Sequence, residues 1–201
     1  MAHEPLFYRH LIFWIWVAWA LFWLVTAFFT KKTARREPLG PRFIYVLIGA
    51  VGAVLIASHG LPWSSLMNLR FWPRSMWAYW TGVAVLLAGV AFAVWARVHL
   101  GSNWSGTVTV KEDHELIRTG PYAWVRHPIY TGLIAGLIGT AICSGTLRAA
   151  LGVAIIATAL YVKSRTEERF MLETFPGQYE RYREEVPALV PFTKLRRSAP
   201  R

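Results

Sequence analysis

Residues 129–162 read IYTGLIAGLIGTAICSGTLRAALGVAIIATALYV, and the way this run divides decides the fold. It is apolar apart from Arg148. As one straight helix it would be about 50 Å long, against a bilayer hydrocarbon core of about 30 Å. The interruption Ser144-Gly145-Thr146-Leu147-Arg148 supplies turn-forming residues at its middle. The run therefore predicts a tight hairpin of two short membrane helices, which returns its two ends to the same side of the bilayer. Gly132, Gly136, Thr140 and Ser144 recur every four residues along the first of them, a stripe that allows close approach of another helix.

The two ends of the hairpin carry the unusual chemistry. Immediately before it, residues 120–132 read G-P-Y-A-W-V-R-H-P-I-Y-T-G. Pro128 suits the first position of a helix and biases His127 away from helical geometry, so Arg126-His127 should be extended at a helix start. That start presents unpaired N–H groups, with the two cationic side chains as further donors for an anion. Beyond the hairpin comes Lys163-Ser164-Arg165-Thr166-Glu167-Glu168-Arg169. Because the hairpin brings the two ends together, the Glu167-Glu168 pair should face Arg126-His127 across one interfacial pocket. Phe175, Tyr179 and Tyr182 follow on one face of an amphipathic helix ended by Val186-Pro187, with packing on the membrane surface as its ordinary use.

Upstream, the apolar runs 10–29, about 43–61 and about 76–96 complete a count of about five spans. The first is long, Trp-rich and without a basic leader, so it is read as a retained span rather than a cleaved signal. Residues 61–75, with Trp63, Trp72 and Pro73, suit an interfacial anchor, and 97–128 a polar stretch in water or at the interface. The fold class is thus all-α and polytopic, one integral membrane domain with an N-terminal three-span region at 1–100 and a region at 101–201 that holds the candidate site residues.

Composition agrees. The 201 residues are 55% hydrophobic and yet carry a formal net charge of +11. A nucleic-acid-binding surface would want those cations on a soluble face, whereas here they lie between apolar runs, so no nucleic-acid partner is expected. In the five-span arrangement only Arg9, Arg70, Arg74 and Arg148, of 22 basic residues, fall on one side. The positive-inside rule makes the other side cytoplasmic, with the N-terminus outside and the C-terminus inside, in an inner or plasma membrane. All acidic residues but Glu4 share that cytoplasmic side. The tail cations Lys194, Arg196, Arg197 and Arg201 suit either a contact with anionic lipid or a disordered end. Cys143 is the single cysteine and no histidine has metal-ligand spacing, so neither a disulfide framework nor a metal is expected.

The constellation Gly120-x-Tyr122-x-x-x-Arg126-His127-Pro128-x-Tyr130-x-Gly132, followed by Arg165-Thr166-Glu167-Glu168, Phe175, Tyr179, Tyr182 and Val186-Pro187, resembles the isoprenylcysteine carboxyl methyltransferase family of integral-membrane enzymes. The resemblance covers residues 101–192. It implies S-adenosylmethionine bound on the cytoplasmic side and methyl transfer to the carboxylate of a lipid-like, prenylated substrate. It further implies that His127 and the helix start hold the cofactor's carboxylate, that Tyr130 lines the same pocket, and that Glu167 or Glu168 faces the ammonium or ribose. Tyr122, Tyr179 and Tyr182 are implied as further lining, and Arg126 and Arg165 as the groups that hold the substrate carboxylate. Phe175-Pro176-Gly177 departs from the family's more usual Phe-Gly.

Other readings start from the same residues. An amine N-methyltransferase acting on phospholipid would share the cofactor but need a base near the reacting centre. A membrane ene-reductase of the sterol reductase kind has a similar R-H-x-x-Y pattern, but a nicotinamide cofactor's phosphates would call for cations where Glu167 and Glu168 stand. A non-catalytic scaffold leaves the clustered motif unexplained.

Overall fold

A computed structural model of the chain describes residues 6–30, 33–36, 39–58, 64–104, 109–111 and 115–193. The Lys31-Lys32 and Glu112-Asp113 pairs, Trp63 and the basic tail from Lys194 lie outside the described residues. Among the described residues six α-helices form the body: α1 (Leu6–Ala27), α2 (Leu39–Ala57), α3 (Met76–Leu100), α4 (Pro128–Ser144), α5 (Leu147–Thr174) and α6 (Gln178–Glu185). Among the described residues three stretches are long and apolar enough to cross a bilayer, His10–Ala27, Met76–Asn103 and Leu147–Thr174, and two shorter apolar helices accompany them, Arg42–Ala57 and Pro128–Ser144. To the helices the structure adds a two-stranded antiparallel ladder, β1 (Thr33–Arg36) with β2 (Thr109–Lys111), which the apolar pattern does not reveal.

The expected hairpin is α4–α5, turning at Gly145, whose φ of 62° is the left-handed conformation that glycine adopts without strain. The two arms pack mainly outward, α4 along α3 and α5 along α2. Glycines make both contacts close. A methyl group at Gly132 would lie 2.5 Å from the Gly89 carbonyl oxygen, and one at Gly152 would lie 2.7 Å from that of Gly52. The expected small-residue stripe is therefore partly corrected. Gly132 and Gly139 face α3, whereas Gly136 meets both Trp16 of α1 and Leu86 of α3, and Thr140 accepts a hydrogen bond from the Trp16 indole of α1 at 3.0 Å.

Residues 64–75 lie across the hairpin turn. Phe71 N–H donates to Gly145 O at 2.9 Å, Leu147 N–H to Leu69 O at 2.9 Å, and the Trp72 indole to Ile142 O at 3.2 Å. Arg148, the lone charge of the run, is buried and donates to Leu55 O at 2.6 Å and Ile56 O at 3.2 Å. It thus satisfies the orphan carbonyls that end α2, which is where a cation is best placed on a helix. Arg97 does the same at the opposite end of the bundle, reaching Thr26 O of α1 at 2.6 Å and Gly101 O at 2.8 Å.

Candidate active site

The far end of the hairpin is organised by a sharp change of chain direction. Gly120 has φ 58°, and a methyl group there would lie within 3.0 Å of the His99 ring, which itself bonds Thr119 Oγ1 at 2.9 Å. After a short 3-10 turn at Gly120–Ala123, the chain extends through Arg126 and His127 and enters α4 at Pro128, as the proline predicts. The backbone N–H groups of Arg126 and His127 donate to Pro187 O at 2.9 Å and Ala188 O at 3.0 Å. Thr131 Oγ1 donates to Leu189 O at 2.6 Å. The segment after α6 is therefore a strap tied to the start of α4.

The polar end of α5 presents Glu167 and Glu168 to this junction. Glu168 is 2% exposed, and its Oε1 accepts from Arg126 Nε at 2.9 Å and Nη2 at 2.5 Å, with His127 Nε2 at 3.2 Å. Arg165 and Arg183 stand 3.5 Å from its other oxygen. Glu167 takes the other side of the same imidazole, its Oε2 3.3 Å from His127 Nδ1, while its Oε1 accepts the Tyr130 hydroxyl. The Tyr130 and His127 rings stack at 5.6 Å, and Lys163 lies 3.9 Å from Glu167 and 5.4 Å above the Tyr130 ring. Burial pushes the His127 pKa down, but hydrogen bonds to Glu167 and Glu168 outweigh it and hold it above the ordinary imidazole value.

Arg126 also donates to Val186 O and, at 3.3 Å, to Arg183 O, so one guanidinium joins the hairpin, α6 and the strap. Tyr182 donates to Tyr122 O at 2.6 Å. Tyr179, Tyr182 and Val186 form a buried cluster with Leu116, Met171, Leu172 and Phe175. The aromatic face of α6 thus packs on the protein rather than on a membrane surface. Burial pushes the Tyr179 and Tyr182 phenols up, so both remain neutral donors.

Beside this junction lies a cavity of about 360 Å³. Of the residues singled out in the sequence, Tyr122, Arg126, His127, Tyr130, Glu167, Tyr179 and Tyr182 line it. Glu168 and Arg165 do not: the first is sealed behind Arg126, and the second has a half-exposed side chain on the outer side of Glu168. The cavity also takes walls that motif reading missed, namely Lys163, Asn103, Trp104, and Trp19 and Trp23 of α1. One signal could have found α1. Trp16, Trp19, Trp23 and Thr26 follow one another at helical spacing and share a face.

Residues 82–173 match the sequence model of the isoprenylcysteine carboxyl methyltransferase family. Over 132 residues the chain is 33% identical to the protein-S-isoprenylcysteine O-methyltransferase of Homo sapiens, covering 62% of this chain and 46% of that protein. The Schizosaccharomyces pombe protein of the same name is 33% identical over 99 residues, 48% of this chain and 42% of that protein. The chain spans less than half the length of these relatives. A solved structure of the eukaryotic intramembrane Ras methyltransferase of this family superposes with a TM-score of 0.53 at 26% identity, over 78% of this chain and 54% of the other.

Proposed function

We propose, from the match of residues 82–173 to the isoprenylcysteine carboxyl methyltransferase family, that this chain is an integral-membrane methyltransferase using S-adenosylmethionine to methylate the carboxylate of an isoprenylated cysteine or analogue. The observation that carries the reading is the Glu167-His127-Glu168 bridge at the edge of a cavity whose opposite wall belongs to an apolar helix.

The residues present fit the cofactor. Glu167 offers the cavity a carboxylate for an ammonium or ribose, and the opening turn of α4 offers donors for a carboxylate. Tyr122, Tyr130, Tyr179 and Tyr182 give aromatic walls. When bound, S-adenosylmethionine supplies an electrophilic methyl group on a cationic sulfur. His127, with both ring nitrogens within 3.3 Å of carboxylates, orients Glu167 toward the cavity and Glu168 away from it. Arg126 and Lys163 put positive charge on the cavity wall, where the acceptor carboxylate is held in line. Arg165, outside the cavity, acts through Glu168.

A carboxylate acceptor needs no base. An amine acceptor must lose a proton, and His127, engaged at both nitrogens with its pKa raised, is not free to take it. This favours the carboxyl acceptor over a phospholipid amine. A volume of about 360 Å³ stands at the low end of small-molecule sites, roughly 300–1,000 Å³, so the hydrocarbon tail stays between helices and bilayer. Keeping it there retains about 0.8 kcal/mol per CH₂.

We further propose that α1 to α5 make five spans, with 1–100 as a membrane scaffold and 101–201 as the catalytic region, and that membrane lipid surrounds the exposed faces of α1 and α2. The cavity then opens at the cytoplasmic end, with the C-terminus inside and the N-terminus outside, in an inner or plasma membrane. Methyl transfer from labelled cofactor to N-acetyl-S-farnesylcysteine tests the activity. Labelling of phosphatidylethanolamine in its place would move the assignment to the amine enzyme.

A further inference from the structure

Tyr45 is buried on a helix whose neighbouring side chains, Phe43, Ile44, Val46 and Leu47, are more than half exposed. It shares a face of α2 with Gly49 and Gly52, four and three residues on. That face packs along α5. A methyl group at Gly52 would lie 2.6 Å from Ile156 Cγ1, and one at Gly49 would lie 3.9 Å from Ala159 Cβ. The two helices therefore run antiparallel in the register 52 to 156 and 49 to 159, which one turn further brings Tyr45 level with Lys163. The Lys163 ammonium lies over the Tyr45 ring, 5.8 Å from its centroid, and over the Tyr130 ring at 5.4 Å, with Glu167 Oε1 3.9 Å away. An ammonium within about 6 Å of an aromatic face is attracted by it. Two phenol faces, one from α2 and one from α4, and a carboxylate one turn along α5 thus fix a side chain that is otherwise rich in rotamers.

The state of Arg126 gives this arrangement its use. Arg126 commits all three guanidinium nitrogens, Nε and Nη2 to Glu168 and Nη1 to Val186 O and Arg183 O. Lys163 lines the same cavity, keeps 14% of its side chain exposed, and meets Glu167 at a distance beyond that of a hydrogen bond. We infer that Tyr45 is a positioning residue of the site: with Tyr130 it holds the Lys163 ammonium at the cavity wall, and Lys163, rather than the committed Arg126, meets the acceptor carboxylate. The inference rests on the methyltransferase reading above. It adds to the working site a part of α2, which lies outside the matched residues 82–173.

The test is calorimetry on the full chain in detergent with N-acetyl-S-farnesylcysteine and with its primary carboxamide, which lacks the charge that Lys163 would meet. S-adenosylhomocysteine is titrated on the same preparations, and methyl transfer to N-acetyl-S-farnesylcysteine is followed in the unaltered protein. The expected result is a preference for the carboxylate of about tenfold or more, as a hydrogen bond between charged groups requires. Lys163→Met should abolish that preference and Tyr45→Leu should remove most of it, while Tyr45→Phe, which keeps the ring face, should retain it. S-adenosylhomocysteine should bind every variant no more weakly than the unaltered protein, and more tightly in Lys163→Met, where the lysine no longer competes for Glu167. A preference that survives Lys163→Met overturns the role of the lysine. One that survives Tyr45→Leu, or is lost in Tyr45→Phe, overturns the role of the ring face. Both results leave the methyltransferase reading intact. Weaker S-adenosylhomocysteine binding in Tyr45→Leu or Lys163→Met overturns the inference by making the pair a support of the cofactor seat. Absence of methyl transfer by the unaltered protein overturns the reading, and the inference with it.

Discussion

Glu167 and Glu168 are adjacent in sequence yet grip opposite nitrogens of one imidazole, Glu167 at His127 Nδ1 and Glu168 at His127 Nε2, 3.3 and 3.2 Å away. Successive residues on a helix point about 100° apart, so a ring placed between them can be held by both. The consequence is a division of labour: Glu167 lines the cavity, and Glu168 is sealed against Arg126.

That division predicts different outcomes for the same substitution. Glu168→Gln leaves the buried Arg126 without its counter-charge, a loss of about 3–5 kcal/mol that thermal unfolding in detergent should show as a large fall in Tm. Glu167→Gln weakens the contacts to His127 and Tyr130 but strands no buried guanidinium, so it should lower Tm less than Glu168→Gln does and weaken S-adenosylhomocysteine binding about tenfold or more, read by calorimetry.

The raised His127 pKa sets a pH window. An imidazole held charged by two carboxylates stabilises the fold fully below its unfolded value of about 6.5. The contribution is lost as pH rises through the higher folded value. Tm should therefore decline with rising pH above about 6.5, and His127→Gln should flatten that decline. A decline confined to acid pH would contradict it.

Helix contact makes a third prediction. Gly132→Ala sets a methyl group 2.5 Å from the Gly89 carbonyl oxygen and 2.7 Å from the Ala93 nitrogen, both backbone, and should cost about 1–3 kcal/mol as α3 and α4 separate. Gly136→Ala meets only side-chain atoms of Trp16 and Leu86, at 3.3 and 3.4 Å, and should cost less than about 1.5 kcal/mol. Tm measured on the two variants in parallel checks the order.

Orientation is tested with introduced cysteines. In a Cys143→Ala background, Ser65→Cys near the hairpin turn should react with a membrane-impermeant maleimide added outside right-side-out vesicles, and Glu184→Cys on α6 should not. The reverse pattern would invert the proposed topology.

The hairpin and its partners were legible in the sequence because composition alone declares them. Residues 129–162 are too apolar for water and too long for one span, and the Gly145 interruption fixes where they turn. The juxtaposition of Arg126-His127 with Glu167-Glu168 followed from that turn. The roles within the cluster did not. Which carboxylate faces the cavity depends on the rotation of α5 about its axis, and the commitment of Arg126 to the strap depends on a segment far along the chain. The α1 wall was hidden for another reason: an apolar span facing lipid and one facing a cavity look alike in hydropathy, and although Trp16, Trp19, Trp23 and Thr26 mark one face of α1 in the sequence, it is their bonds to Thr140 and Arg97 that show this face turning inward. The β1–β2 ladder is too short to leave a periodic signal.

The most direct test of the central claim, a methyl-donor site built on the bridge between Glu167, His127 and Glu168, is calorimetric titration of the detergent-purified protein with S-adenosylhomocysteine, with NADPH in parallel. The site described here predicts saturable binding of S-adenosylhomocysteine, none of NADPH, and loss of the former in His127→Ala plus Glu167→Ala. Absence of S-adenosylhomocysteine binding, or its persistence unchanged in that double variant, would contradict it.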